Sequence, residues 1–395
     1  MPTTPAPLGV PPGPALSPWR DSRRWWWLLS PAFPLLVWLN VQAYARSGQE
    51  AWLWLSSLII YGLIPLLDAW LGEDRSNPPE SAVPALERDP WYRLIVLAFL
   101  PLQYLLTLHG AWIAAHHELS ALGWVGLVLS VGGINGVAIN TAHELGHKLP
   151  AWERWLARVA LAPVAYGHFY VEHNRGHHRR VATPEDPASA RLGESFWAFL
   201  PRTLWGGLRS AWGLERARLA GHGLGPWHWR NECLQAWALT VVLYGALLLW
   251  LGWGVLGFLL VQALYGISLL EVVNYIEHYG LLRALGPDGR RVRCTPEHSW
   301  NSNHWVSNLF LYQLQRHSDH HAHPARRYQA LRHFESSPQL PAGYAALLLP
   351  AYLPPLWFRL MDPRVLAHYG QRLERANLQP GREAALRQRF ARPQR

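Results

Sequence analysis

The stretch "LSALGWVGLVLSVGGINGVAINTAHELGHK", residues 119 to 148, decides the fold. Its first part, Leu119 to Asn140, is an apolar run of roughly the 20 residues that cross a bilayer. Its last eight residues set His143, Glu144 and His147 in the pattern H-E-x-x-H. Alone, that pattern reads as a zinc-protease helix, two imidazoles one turn apart with the glutamate as general base. Here the histidines follow directly on a membrane span, which puts any metal they hold at a membrane face.

Working outward, five more apolar runs appear at Trp25 to Ala45, Ala51 to Leu71, Trp91 to Ala114, Leu234 to Leu251 and Val255 to Tyr275. The expected fold is all-α: an integral membrane protein of six transmembrane helices, paired as three hairpins, with a histidine-rich cytoplasmic cap. A mean hydropathy of −0.05 hides this, because apolar blocks and arginine-rich segments average out. The short connectors after the first, third and fifth helices hold one clear basic residue, Arg46, while other arginines lie beyond the opposite ends. The positive-inside rule then sets both termini, segment 141–233 and segment 276–380 in the cytoplasm, and the dominance of arginine over lysine suggests a bacterial inner membrane.

One membrane domain is expected over 25–380, between a disordered tail over 1–24, whose first eighteen residues are proline-rich, and a basic tail over 381–395. Cys233 and Cys294 have no close sequence partner, which leaves a disulfide framework and a C-x-x-C site without support. The formal charge of +10 comes almost wholly from arginine, since Lys148 is the only lysine. No nucleic-acid motif accompanies it, so it reads as membrane orientation plus a docking surface for an acidic protein.

Nine histidines fall into four groups: His143 and His147; His173, His177 and His178; His278; and His317, His320 and His321. All lie on one side of the membrane, after the fourth or sixth helix. An i, i+4 pair projects from one helix face, and a doubled histidine can aim its second ring at a neighbouring metal. Nine imidazoles are too many for one zinc and suit two ions with positions left over. Imidazole ligates zinc, copper, iron or nickel, but two irons activating O2 beside an apolar substrate is the chemistry that needs all these features.

The residues resemble a known family, the integral-membrane non-haem di-iron alkane monooxygenases. The resemblance rests on "NTAHELGHK" (140–148), "EHNRGHHRRVATPEDPASARLGESFW" (172–197), "NYIEHYGLLR" (274–283), "HSWNSNHWVSNL" (298–309), "LQRHSDHHAHPARRYQAL" (314–331) and "YGLIPLLDAWLGED" (61–74). It implies that the nine histidines hold two irons, with no haem or flavin in this chain. The implied reaction puts one atom of O2 into the terminal C–H bond of a medium- to long-chain n-alkane, giving the 1-alkanol, and reduces the other atom to water. It also implies a separate rubredoxin as electron donor, served by a rubredoxin reductase.

Further site residues are expected around this centre. Glu144, Glu172, Asp186, Glu277, Asn303 and Asp319 are candidates to accept the free N–H of ligand histidines and fix their tautomers. His168, His298 and His304 are near enough in sequence to help. Ile60 stands where relatives carry a bulky residue that limits chain length, so long chains are expected to fit. Asp68 and Glu271, ionisable groups inside spans, either reach water or partners at helix ends or border the substrate channel. Arg179, Arg180, Arg326 and Arg327 are the expected docking surface for the electron carrier.

The alternatives carry distinct products. A fatty-acyl desaturase would give an alkene and an aromatic-methyl hydroxylase a benzylic alcohol. A zinc protease would leave seven grouped histidines idle, and a non-enzymatic membrane metal binder would consume no O2.

Overall fold

The computed structural model describes residues 19 to 391, which are helical with only isolated β-bridges. Six helices are long and apolar enough to cross a membrane: Trp26–Ser47, Glu50–Leu71, Pro90–His116, Ala121–Gly146, Glu232–Leu251 and Trp253–His278. Each falls within a few residues of the run expected from hydropathy, except where the chemistry begins. The fourth span continues six residues past Asn140 and the sixth three past Tyr275. "TAHEL" contains no helix breaker, the helix ends at Gly146, and the residue preceding Pro150 is pushed towards extended backbone. His143 and His278 are therefore carried on the same rigid rods that cross the apolar layer.

Those two rods meet backbone to backbone. A Cβ on Gly132 would stand 2.5 Å from the carbonyl oxygen of Gln262, and one on Gly136 2.9 Å from that of Gly266. Small residues four apart are what allow membrane helices so close an approach. Buried amides tie the contact to the third span: Asn135 Nδ2 donates to Gln262 Oε1 at 2.7 Å, and Gln103 Nε2 donates to Asn135 Oδ1 at 3.0 Å. In an apolar layer an unpaired amide is costly, so each of these residues fixes its partners' register.

The chain after the sixth span folds across the ends of the helices. Asp68, near the end of the second span, accepts hydrogen bonds from the backbone N–H of Val306 (2.9 Å) and of Ser307 (3.0 Å) and from Ser307 Oγ (2.5 Å). It thereby caps the short helix Trp305–Phe310. Two further helices, Tyr344–Tyr352 and Pro354–His368, were not anticipated from the apolar-run reading. The first packs on the sixth span, where Tyr352 Oη lies 3.1 Å from Ser268 Oγ.

Described residues at both expected tails pack on the body of the protein. Arg23 is buried and pairs with Asp21 and Asp74, Arg24 pairs with Asp89, and Trp27 Nε1 donates to Asp21 at 2.9 Å. At the other end Glu383–Ala391 is helical, Leu386 is buried, and Arg389 pairs with Asp362 at 2.7 Å. Charges that read as solvated tail find carboxylates on the body of the protein. Residues 1–18 and 392–395 lie outside the described residues.

Candidate metal centre

The nine histidines converge in two groups. His143, His147, His173, His178 and His320 form one; His177, His278, His317 and His321 form the other; within each, the potential ligand atoms lie within 4.8 Å of one another. The Nε2 atoms face each other. His143 to His320 is 2.7 Å, His320 to His178 is 3.0 Å and His178 to His173 is 3.1 Å. In the second group His278 to His317 is 3.2 Å and His317 to His321 is 2.9 Å. Nitrogens in adjacent positions around one ion, with bonds of about 2.1 Å at right angles, stand about 3.0 Å apart. Lone pairs aimed at each other at that spacing repel unless a proton or a cation lies between them.

Burial holds His147, His173, His178, His317, His320 and His321 well below the usual histidine pKa. They are neutral at physiological pH, which is the ligating form. The backbone decides which ring goes where. Residues Glu172–His177 form a π-helical turn, in which i and i+5 stack. His173 and His178 therefore share the first group, while His177 turns to the second. The two rings of the doubled histidine thus fall in different groups.

Of the six polar residues expected to orient ligand rings, Asp186 does so directly. It accepts from His177 Nδ1 at 2.8 Å and from Ser189 Oγ at 2.7 Å. A proton held on Nδ1 leaves Nε2 with its lone pair free, and that buried atom has no hydrogen-bond partner among the described residues. Glu277 approaches differently: its Oε2 lies 3.2 Å from His317 Nε2, and its Oε1 accepts from Tyr344 Oη at 2.9 Å.

The other four do not hydrogen-bond a grouped histidine. Glu144 pairs with Lys148 at 3.0 Å and accepts from the backbone of Tyr328. Lys148 is buried and also donates to the carbonyl of Arg326 at 2.9 Å. Glu172 accepts from Arg180 at 2.7 Å, and burial lifts its pKa to about 7. Asn303 bonds His333, and Asp319 holds His323, Arg326 and the backbone of Arg332. Neighbours in a helical sequence point about 100° apart, so adjacency to a ligand does not give contact with it. Glu144 is an internal ion-pair partner, and the protease reading loses its base. Likewise His298 bonds Thr295 and His304 bonds Ser302, while His168 lies beside the first group without bonding it.

The expected arginine surface is also reduced. Arg180 is tied to Glu172, Arg326 to Asp319 and Arg327 to Glu153. A guanidinium held by an internal carboxylate presents little charge to a partner. Arg179, next to His178, has the exposed side chain of the four.

A carbon-walled cavity runs between the spans, lined by Phe33, Ile60, Val137, Leu269 and Leu348 among others. Ile60 sits in a π-helical turn, Ile59–Leu63, with its Cδ1 3.4 Å from where a Gly133 Cβ would be. At the other end Asn140 and Leu314 are shared with a small polar chamber that contains His143 and His320. Asp68 and Glu271 are not on the cavity's wall. Glu271 accepts from Tyr166 Oη (2.8 Å) and Thr203 Oγ1 (2.9 Å) and lines a separate pocket with His173 and His177. Sequence reading missed Tyr344, whose ring lines the carbon-walled cavity while its hydroxyl holds Glu277. The apolar, aromatic run "GYAALLLPAYLPPLWF" (343–358) was the available signal.

Comparison with known proteins agrees with this geometry. A model of the family described as fatty acid desaturase matches residues 118–351. The chain is 45% identical over 373 residues to an alkane 1-monooxygenase of Acinetobacter baylyi, covering 94% of this chain and 91% of that protein. It is 46% identical over 371 residues to alkane 1-monooxygenase 1 of Alcanivorax borkumensis, covering 94% and 92%. More distantly, it is 28% identical over 334 residues to the hydroxylase component of a xylene/toluene monooxygenase of Pseudomonas putida, covering 81% and 84%. An all-helical membrane chain with two converging histidine groups and this degree of identity along nearly its whole length belongs to the alkane 1-monooxygenase family, within the fatty acid desaturase superfamily.

Proposed function

We propose that this protein hydroxylates n-alkanes at the terminal carbon, consuming O2 and two electrons and releasing the 1-alkanol and water. The observation that carries the reading is the junction at Asn140 and Leu314, where a carbon-walled cavity abuts the chamber holding His143 and His320. An alkane offers no charge to grip, so orientation must come from the shape of an apolar passage and from exclusion of water. Phe33, Ile60, Leu269 and Leu348 do this along the wall, leaving the chain end as the part that meets the polar residues. The nine histidines would hold two irons, which when bound supply the activation of O2 that the protein's own side chains lack.

The fixed tautomer at His177, held by Asp186, supports a built metal site. Iron is favoured over other imidazole-binding metals by the O2-dependent reaction that the relatives' names describe. Electrons come from a separate rubredoxin and its reductase, docking near Arg179 on the side of the partly exposed His147 and His178. By the distribution of arginines, that side is cytoplasmic, and the bacterial sources of the relatives favour a bacterial inner membrane. Ile60, smaller than tryptophan, leaves the cavity open to chains longer than medium length.

The test is gas chromatography of membranes containing the protein, supplied with n-hexadecane or n-octane, rubredoxin, its reductase, NADH and 18O2. Labelled 1-hexadecanol, absent in His143→Ala, is expected. Labelled octanol alone would keep the reaction and discard the chain-length argument. An alkene, a benzylic alcohol from xylene with no alkanol, or metal retained with no O2 consumed would replace the proposal with one of the sister activities or with a metal binder.

A further inference from the structure

The two histidine groups are unequal, five rings against four, yet each is built at the same spacing. In the second group the Nε2 atoms of His278, His317 and His321 stand 2.9 to 3.2 Å apart along their chain of contacts. One further atom joins that set at the same spacing: Glu277 Oε2, 3.2 Å from His317 Nε2, with both side chains almost wholly buried. It faces the metal-facing nitrogen of His317, not the Nδ1 that an orienting carboxylate would bind. We infer that Glu277 is a direct metal ligand of the four-histidine group, giving each ion five protein donors. The inference rests on the reading of the histidine groups as iron sites proposed above.

Three features fit a ligand better than a structural carboxylate. Oε1 is held by Tyr344 Oη at 2.9 Å, which fixes the rotation of the carboxylate and leaves Oε2 facing the histidines. Glu277 directly precedes the ligand candidate His278 on the rigid end of the sixth span, and its own carbonyl accepts from the backbone N–H of Trp300 at 2.9 Å. No lysine or arginine pairs with it among the ion pairs of the described residues. Buried charges are ordinarily paired or bound to metals, and a divalent ion among neutral imidazoles supplies the missing positive charge. The first group, whose His147 and His178 are partly exposed, lies nearer the protein surface. The second group is buried throughout.

Tyr344 extends the consequence, since its ring is part of the cavity wall. A substrate pressing on that wall pushes on the residue that holds a ligand of the second ion.

The experiment is 57Fe Mössbauer spectroscopy with iron analysis on the purified full-length protein. The wild type is expected to hold two irons per chain in two distinguishable doublets of equal area. Glu277→Gln, which preserves shape and the Tyr344 hydrogen bond, should change one doublet, leave the other in place, and weaken one iron by roughly 10- to 100-fold. Glu277→Asp retains the charge and, should the amide variant fail to fold, is expected to move the same single doublet. Two irons with both doublets unchanged in either variant would overturn the assignment while leaving the iron sites standing. A wild type that holds no iron would overturn both.

Discussion

The two histidine groups are built from the same side chain and backed in opposite ways. The five-membered group lies against the outside: His147 and His178 are partly exposed, exposed Arg179 is adjacent, and its helix is braced by the buried Glu144–Lys148 pair. The four-membered group is wholly buried and backed by carboxylates, Asp186 on His177 and Glu277 towards His317. The difference teaches that ligand type alone does not set what a site does. In the first group the brace acts at a distance on helix position; in the second, anions act directly on the rings.

The comparison is broken most severely by removing a ring. His317→Ala is expected to abolish hydroxylation and lose the iron of the four-membered group, whereas His147→Ala, in the partly exposed group, should abolish activity while retaining part of its iron; metal analysis per chain separates the two. Lys148→Met leaves Glu144 buried without its partner and should lower stability by about 3 kcal/mol or more, read as a fall in Tm in detergent. Replacing Glu144 with leucine in the same chain should restore much of that loss. Asp186→Asn removes the anion that fixes His177 and is expected to cost roughly 10- to 100-fold in activity with iron lost from the buried group first.

Smaller effects sharpen the contrast between wall and surface. Ile60→Trp overfills the cavity and should reduce turnover of hexadecane on the order of tenfold while sparing octane, seen as a shift in the chain-length profile. Arg179→Glu should raise the KM for rubredoxin by about two- to fivefold at low salt, with the effect shrinking as salt is added and kcat unchanged.

Much of this was legible in the sequence because apolar length and histidine spacing are local signals. The spans and the grouping of nine histidines follow from patterns that a linear reading can hold, while Ile60, now on the cavity wall, came from the family resemblance. The division of the rings did not, because it depends on a π-helical turn at Glu172–His177 that the sequence does not announce. Partners of charged residues were the weakest readings. Arg326, Arg327, Asp319 and Glu144 look available beside their motifs, yet each finds a counter-charge brought from elsewhere in the chain or from the next helical turn. Asp68 reads equally as a channel group or as a helix-end partner, and the segment at 305–307, distant in sequence, folds back onto it as that partner.

The glycine contact between the fourth and sixth spans bears on how the protein meets different lipids. A bilayer that thickens or thins asks helices to tilt or slide. Gly132 and Gly136 leave the two central rods no gap in which to shear, and the amides of Asn135, Gln103 and Gln262 pin their register. Hydrophobic mismatch would fall first on peripheral helices such as Glu232–Leu251, most of whose surface lies outside the core. A cell can alter its membrane while the separation of the two histidine-bearing rods stays constant.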